Sequence, residues 1–347
     1  MKIATFTLAF ASVFSLLLIA GCVGGEESPA APAYNPNPAL DAPLFDTNTS
    51  APSYQYAPTS QLEIAFIDVG YGDATLIRSQ GKSILFDAGP DANADALGNY
   101  LRKAGVQKID ILILSSDDPL FINGAPEILR TFEVGEIWSN GHIYSGANWE
   151  KISGLAEDIP ISDVEYANSF EDGNFTLTVL NPFPGLKNTD YSDMDSIVLK
   201  AQYENFCAVL FSNSEASGAV GSDGGTVFGG VDNRILNGPI SIEGCKVLKV
   251  SHHGSGNSAS FQLLERMKPE VAIISVGKSP ANTKYPDTTL LRRLLLKNMN
   301  IYTTDKLGTI TIKSDGQGYE AQTELARDTS YIAFINNIAY GKQSYFN

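Results

Sequence analysis

The sequence predicts an α/β domain of layered sheets, preceded by an export leader and an extended tether. Three observations lead to this prediction. Short apolar runs with strand character recur along the body of the chain, helix-period segments alternate with them, and residues 23–60 show neither pattern. Mixed strand runs with intervening helices are typical of sheets that are covered by helices.

The first 22 residues predict the compartment. A positive start at Lys2 is followed by an apolar run over 3–19, and Cys22 comes directly after Ala-Gly. This order predicts an export signal. Cysteine after Ala-Gly resembles the lipobox of lipoproteins, which implies cleavage before Cys22 and lipid on that residue. A retained transmembrane anchor is the alternative, because the run is near the lower length limit for a span. In both cases we expect the chain to be attached to the membrane and exposed at the cell surface.

Three further segments follow the leader. Residues 23–60 are rich in Pro, Ala and Asn, and such a composition stays extended because it cannot bury enough surface to offset its ordering entropy. Residues 61–325 are long enough for one large domain. Residues 326–347 are aromatic and polar, and two alternatives remain for this tail: a terminal hairpin packed on the body, or a partner-binding segment.

Within the body, apolar period and turn residues predict the elements in order. Gly70, Gly72, Gly81 and Gly89 mark the early turns. The continuous apolar run 109–114 is typical of a strand buried on both faces. We expect strands at 62–69, 74–78 and 83–87, a helix at 92–104, a strand at 109–114, a helix at 125–131, strands at 175–180, 196–203, 207–211, 246–250 and 271–276, helices at 258–267 and 288–297, and closing strands at 301–304 and 309–313. The glycine-rich segment 215–239 predicts a mobile loop.

The charge balance argues against a nucleic-acid partner. The chain has 39 acidic and 24 basic residues and a formal net charge of −15, whereas a protein that grips phosphates normally presents a basic surface. We expect the acidity to keep an exposed protein soluble.

The cysteine count leaves two alternatives. If Cys22 carries lipid, Cys207 and Cys245 remain as an even pair in an oxidising compartment. They form a disulfide if their strands are neighbours. Two buried free thiols are the other alternative.

Five segments form an ordered set along the body: FIDVGYGDATLI at 66–77, ILFDAGP at 84–90, VLKVSHHGS at 247–255, AIISVG at 272–277 and TDKLGTI at 304–310. Together they resemble the metallo-β-lactamase domain of ComEC-type competence proteins, over residues 62–313. The resemblance implies a four-layer αββα metallo-β-lactamase sandwich. It also implies a site with two divalent ions, which activate a water and stabilise charge on a phosphoryl or acyl oxygen.

The main ligand cluster of that family departs from its pattern here. The family pattern after a buried strand reads His-x-(His or Asp)-x-Asp-His, and this chain has SSDDPLFINGA at 115–125. Ser116 then takes the first histidine position and Asp118 keeps the second ligand. Leu120 takes the aspartate position and Phe121 the last histidine position. Leu and Phe have no donor atom for a metal.

Two other ligand positions have changed in the same way. Where the family usually has Thr-Gly-Asp, this chain has Ser-Asn-Ser, so that Ser214 stands for the aspartate. Tyr285 stands where the family often has a histidine before proline. His252 and His253 are retained.

A histidine count leads to the same interpretation without alignment. The chain has three histidines, and the third, His142, lies in a connecting segment. The remnant set that we expect is therefore Asp118, His252, His253 and Asp87, with either no metal or a single Zn or Mn ion. For the two neighbouring histidines, the alternative to a ligand role is a pair of satisfied polar residues that shape a turn. Asp68 and Asp73 are predicted to accept backbone N–H groups in the turn between them.

Two functions remain from the sequence. The first is a catalytically inactive surface module (a pseudoenzyme) that binds a ligand or protein through the remodelled pocket. The second is a divergent metal-dependent hydrolase, of phosphodiesterase type, that uses a reduced metal site.

Overall fold

Two mixed β-sheets lie face to face in this computed structural model, which describes residues 61–141, 147–184, 192–215, 230–278, 285–327 and 329–339. Within these ranges the first sheet has eight strands, in the spatial order β15-β14-β1-β2-β3-β4-β5-β6. Its strands are, in chain order, β1 (Leu62–Phe66), β2 (Thr75–Ser79), β3 (Lys82–Phe86), β4 (Lys108–Leu114), β5 (Glu133–Ser139), β6 (Ile161–Asp163), β14 (Ile310–Ser314) and β15 (Tyr319–Thr323).

The second sheet has seven strands among the described residues, in the order β13-β12-β11-β10-β9-β8-β7. They are β7 (Ser169–Asp172), β8 (Phe175–Asn181), β9 (Val198–Tyr203), β10 (Phe206–Leu210), β11 (Val247–Lys249), β12 (Val271–Ile274) and β13 (Asn300–Thr303). Strands β3 to β6 run parallel to one another, as do β10 to β13. The carboxyl ends of these parallel strands therefore meet at one edge of the sandwich.

Nine α-helices are present in the described part of the chain: α1 (Ala94–Lys103), α2 (Pro119–Ile122), α3 (Ala125–Thr131), α4 (Ala147–Leu155), α5 (Val231–Asn237), α6 (Phe261–Met267), α7 (Thr288–Leu296), α8 (Thr304–Leu307) and α9 (Thr329–Ala339). Helices α6 and α7 connect the parallel strands β11, β12 and β13. Because such crossovers are right-handed, both helices lie on the same side of the second sheet.

Two apolar clusters account for the layers. One lies between the sheets and contains Phe66, Phe86, Phe175 and Leu210, all buried. The other lies on the outer side of the first sheet, where it includes Leu97 of α1. On the second sheet, α6 and α7 bury their own leucines on the side away from the first sheet. The layers are therefore helix, sheet, sheet and helix, and the predicted four-layer αββα sandwich is confirmed.

Two sequence predictions for the loops are wrong. Residues 231–237, assigned to a mobile loop, form α5, because Val231 and Ile235 are buried. The alternative of a terminal hairpin for the tail is also wrong, since α9 is a helix that buries Tyr331 against the inter-sheet core. The strands β5, β6, β7 and β15 and the helices α2, α4 and α8 were not predicted.

Other predictions fall on residues outside the described ranges. These are the leader with Cys22, the tether, His142 and most of the glycine-rich segment. Among the described helices none combines the length and apolarity needed to cross a bilayer.

Candidate functional site

Polar side chains from three strand ends meet at the carboxyl edge of the two sheets. Asp87 follows β3, Ser115 follows β4 and Ser212 follows β10, and all three are buried. Asp87 Oδ1 accepts from the Ser115 amide at 2.9 Å, and Oδ2 accepts from the hydroxyls of Ser115 (2.9 Å) and Ser212 (2.7 Å). The two hydroxyl oxygens are 2.5 Å apart. This cluster joins the two sheets at the centre of the site.

Asp87 is held in an unusual state by this environment. Its φ of +61° lies in the left-handed region, which costs a non-glycine residue about 1–2 kcal/mol. Burial, with the charge of Asp73 as the second cause, raises the pKa of Asp87 to about 7, against the lowering effect of the three hydrogen bonds. The Asp87 carboxyl therefore changes its protonation state near neutral pH, although both of its oxygens already accept hydrogen bonds.

A buried ion pair lies beside this cluster. Lys249, at the end of β11, is fully buried and its ammonium donates to Asp73 and to the Phe211 carbonyl (2.8 Å). Asp73 comes from the turn after β1, so the pair connects the two sheets. Burial raises the pKa of the Asp73 carboxyl, and Lys249 acts in the opposite direction.

The prediction for Asp73 was therefore wrong, because its side chain pairs with a lysine instead of with a turn amide. For Asp68 the structure agrees with the prediction, since its Oδ1 accepts from the Gly70 amide at 3.0 Å. Sequence reasoning missed Lys249 altogether. Its signal was a lysine in the apolar run VLKV, on the same strand face as Val247, where a charge needs a counter-ion.

His253 is packed between aromatic rings. It is 2% exposed, and its ring centroid lies 5.2 Å from that of Phe121 and 4.6 Å from that of Tyr71. Its Nδ1 lies 3.0 Å from the Ser275 carbonyl, so Nδ1 carries the proton and donates it. Burial lowers the pKa of His253 to about 3. The ring is therefore neutral at ordinary pH.

His252 lies at the mouth of the site instead. Its Nδ1 is 3.6 Å from Glu215 Oε1, and its ring packs edge-on against Tyr285 at 5.8 Å. Glu215 also accepts from Ser255 Oγ (3.2 Å) and from Asn257 Nδ2 (3.4 Å). Sequence reasoning missed Glu215 as a site residue, because no motif marks it. These side chains form a partly exposed polar and aromatic rim.

Asp118 is the N-cap residue of a helix. Its side chain accepts from the Leu120 amide at 2.8 Å and so caps α2. Burial raises the pKa of the Asp118 carboxyl. The hydrogen bond from the Leu120 amide and the charge of His252 act in the opposite direction and reduce this rise. Asp118 and His252 are therefore electrostatic neighbours.

The substituted ligand positions are built into the packing. Phe121 and Ser214 are fully buried, as is Ser116, whereas Leu120 and Tyr285 are partly buried. The Phe121 carbonyl accepts from the Ala88 amide at 2.7 Å, and the Leu120 carbonyl accepts from the Asp73 amide at 3.2 Å. Both residues thus support neighbouring loops of the site.

The donor set departs from the one that a two-metal centre needs. Asp87 already accepts three hydrogen bonds, Asp118 caps a helix, and His253 is enclosed by two rings. In the parts of the chain that the structure describes, no group of three or more His, Cys, Asp or Glu side chains is arranged so that it could hold a metal ion.

Cys207 and Cys245 form a disulfide in the structure, with their Cα atoms 4.6 Å apart. Cys207 lies in β10 and Cys245 two residues before β11, and these two strands are parallel neighbours. The bond therefore ties the strand before Ser212 to the strand that carries Lys249.

Sequence comparison relates this domain to a group of bacterial competence proteins. No family model matches the chain. It is 28% identical to Recombination protein 2 of Haemophilus influenzae over 243 residues, which cover 68% of this chain and 26% of that protein. It is 26% identical to ComE operon protein 3 of Bacillus subtilis over 303 residues (80% and 36%) and 26% identical to Competence protein ComA of Neisseria gonorrhoeae over 271 residues (76% and 34%). The domain is similar in sequence to the ComEC-type competence proteins. It spans about a quarter to a third of the length of these relatives.

Solved structures with a similar course of the chain are more distant. The diiron β-hydroxylase CmlA of Streptomyces venezuelae has a TM-score of 0.46 at 10% identity, with 75% of this chain and 55% of that chain covered. A metallo-β-lactamase from a soil metagenome library has a TM-score of 0.38 at 15% identity, with 57% and 78% covered. No residue role is carried over from either protein.

Proposed function

We propose that this ComEC-like domain is an exported, lipid-anchored pseudoenzyme that binds a ligand or a protein at the cell surface through its remodelled pocket. One observation carries the proposal. Phe121 stands where the resemblance implies a metal-binding histidine, and its ring stacks on His253, which is one of the retained histidines. An apolar ring in that position both removes a ligand and fills the space beside another.

The buried ion pair supports the same reading. A two-metal site neutralises its carboxylates with divalent cations. Here the Lys249 ammonium neutralises Asp73, and Asp87 is kept protonated below about pH 7 by burial. The carboxylates of the site are thus balanced by the protein itself.

The rim of the pocket supports a binding role. Glu215, His252 and Tyr285 are each partly exposed, and His252 lies beside both of the others. A polar and aromatic rim above a buried floor is typical of sites that orient a ligand with a few polar groups. The names of the relatives support a role in a process related to competence.

The export part of the proposal rests on the leader and on the disulfide. Disulfides form and persist in oxidising compartments and are rare in the cytosol. The Cys207–Cys245 bond therefore supports export, and Cys22 in the lipobox-like sequence supports a lipid anchor. Incorporation of labelled fatty acid into the chain, and its loss in Cys22→Ser, tests the anchor directly.

Catalysis is tested by incubating the purified full chain with excess manganese and bis-(p-nitrophenyl) phosphate. We expect no hydrolysis above that of buffer. Manganese-dependent hydrolysis that is lost in both Asp118→Ala and His252→Ala would overturn the proposal. It would support the second candidate, a hydrolase with a single Zn or Mn ion, for which the electrostatic proximity of Asp118 and His252 is the supporting observation.

A further inference from the structure

Positive charge is concentrated in one part of this acidic chain. Residues 246–313 contain eleven of the 24 lysines and arginines but four of the 39 carboxylates, which leaves 13 and 35 for all other residues. Within this segment Lys249 is buried in the site. Most of the remaining cations that the structure describes lie on or beside α6 and α7.

Helices α6 and α7 present one continuous outer face. The Phe261 ring of α6 lies under Arg293 and Lys297, at 5.7 Å and 5.8 Å from its centroid. Lys297 also pairs with Glu265 of α6. These contacts hold the two helices side by side, so their solvent-facing residues form a single surface.

That surface combines exposed cations with exposed apolar side chains. We call it the basic–apolar face and define it by Phe261, Arg266, Lys268, Arg292 and Leu296. Phe261 is 49% exposed and Leu296 is 72% exposed, and the three cations are exposed as well. These three cations form no ion pair with any residue that the structure describes.

The helices on the opposite side of the sandwich differ. Their charged residues occur in both signs: Asp95, Arg102 and Lys103 of α1, Glu127 and Arg130 of α3, and Glu150 and Lys151 of α4. Arg130 is paired with Glu127. These three helices thus carry four cations and three carboxylates, whereas α6, α7 and their C-caps carry five cations and one carboxylate. The excess of positive charge is therefore larger on the α6–α7 side.

We propose that the basic–apolar face docks on an anionic phospholipid surface. Lysine and arginine beside such a surface each strengthen binding by about fivefold, and apolar side chains between them enter the boundary of headgroups and acyl chains. A nucleic acid is the other polyanion to consider. The 72% exposed Leu296 favours lipid, because a row of phosphates offers it no apolar contact.

The tether makes docking effective. This step rests on the proposed lipid anchor at Cys22. The extended, proline-rich tether proposed for residues 23–60 would reach at most about 120 Å, so the domain stays confined near the membrane that holds it. Docking then becomes an intramolecular event, for which a few weak contacts are sufficient. The membrane would thus fix the orientation of the pocket rim.

The test measures which face of the full chain meets the lipid. Phe261→Trp places an indole on the face, and Arg130→Trp places one on α3 as the matched control. Each variant is bound to vesicles whose phosphatidylglycerol or phosphatidylcholine acyl chains are brominated, and quenching of the introduced fluorescence is read against the native tryptophans. The lipid on Cys22, or the apolar leader if it is retained, attaches all variants equally, so docking is the quantity that changes.

We expect quenching for Phe261→Trp on phosphatidylglycerol, little on phosphatidylcholine, and none for Arg130→Trp on either. Adding Arg266→Gln and Arg292→Gln is expected to lower the docking equilibrium about 25-fold. Adding Glu127→Gln and Lys151→Gln, which leave the face intact, is expected to change nothing.

Equal quenching at the two positions, or quenching that is insensitive to the arginines, would overturn the proposal. So would binding of a DNA duplex that depends on Arg266 and Arg292 in the absence of lipid quenching, since it would assign the face to nucleic acid. If Cys22 carries no lipid but quenching follows the expected pattern, the anchor fails and the docking face is supported.

Discussion

Lys249→Met removes the positive half of the buried ion pair and nearly preserves the volume of the side chain. In the folded protein Lys249 is 0% exposed and the Asp73 side chain is 3% exposed. The variant therefore leaves Asp73 charged and buried without its partner, and it also removes the donor to the Phe211 carbonyl. The variant is expected to destabilise the folded state and not the unfolded chain, because both side chains are hydrated after unfolding.

Breaking a buried pair in this way costs about 3–5 kcal/mol. We expect a loss of this size in the free energy of unfolding of the full chain, measured by urea denaturation at pH 7. Trp138, which is 6% exposed in the inter-sheet core, provides the fluorescence signal. Burial already raises the pKa of Asp73, so protonation at lower pH should relieve the variant and reduce the loss.

The double variant Lys249→Met/Asp73→Leu provides the control. It removes both charges, and an apolar pair of similar volume is often as stable as the ion pair that it replaces. We expect the double variant to be more stable than Lys249→Met alone. A single variant that loses less than about 1 kcal/mol, or a double variant that loses the sum of the two single changes, would refute this account of the pair.

Four further predictions concern the same region. The raised pKa of Asp87, about 7, means that its contribution to stability is present below pH 4 and is lost as the pH rises to 7. The loss is about 4 kcal/mol. In urea titrations, Asp87→Asn should therefore become more stable relative to the natural chain over that pH range. The lowered pKa of His253, about 3, gives the opposite dependence, because stability is lost as the pH falls below 6.5. His253→Gln should abolish this loss. A pH profile of stability that either variant leaves unchanged would contradict the prediction for that residue. Phe121→Ala should cost about 3–5 kcal/mol and raise the pKa of His253 in an NMR titration, whereas an unmoved pKa would show that the ring does not enclose the histidine. Replacing Cys207 and Cys245 by Ala should cost about 4 kcal/mol, as expected for a bond across 38 residues, and loss of less than about 1 kcal/mol would show that the bond does not form in the natural chain.

The fold could be predicted because the strand-like apolar runs and the family motifs occur at the same positions along the chain. The continuous run at 109–114 became β4, and the helix predicted at 125–131 has the bounds of α3. Helix α5 was missed because the glycine-rich sequence before it dominates the composition of the segment. The helical pattern itself consists of only two buried apolar residues, Val231 and Ile235. Helix α9 was missed for a similar reason, since Tyr331 is buried by contact with a distant part of the chain.

The site was predicted less completely than the fold. A motif identifies which side chain stands at a ligand position, and on that basis Phe121 and Asp118 were singled out as candidate site residues. It does not identify partners across the sandwich. The Asp73–Lys249 pair joins residues 176 positions apart, and the Asp87–Ser212 bond joins residues 125 apart. Such contacts depend on the register of two sheets, which local sequence does not encode.

The metal content of the purified full chain tests the central claim most directly. The chain is expressed in medium supplemented with zinc and manganese, purified without chelator, and measured by inductively coupled plasma mass spectrometry against protein concentration. With Phe121 and Lys249 occupying the site, we predict well below one ion per chain for both metals. One or two stoichiometric ions per chain, lost in Asp118→Ala, would contradict the account.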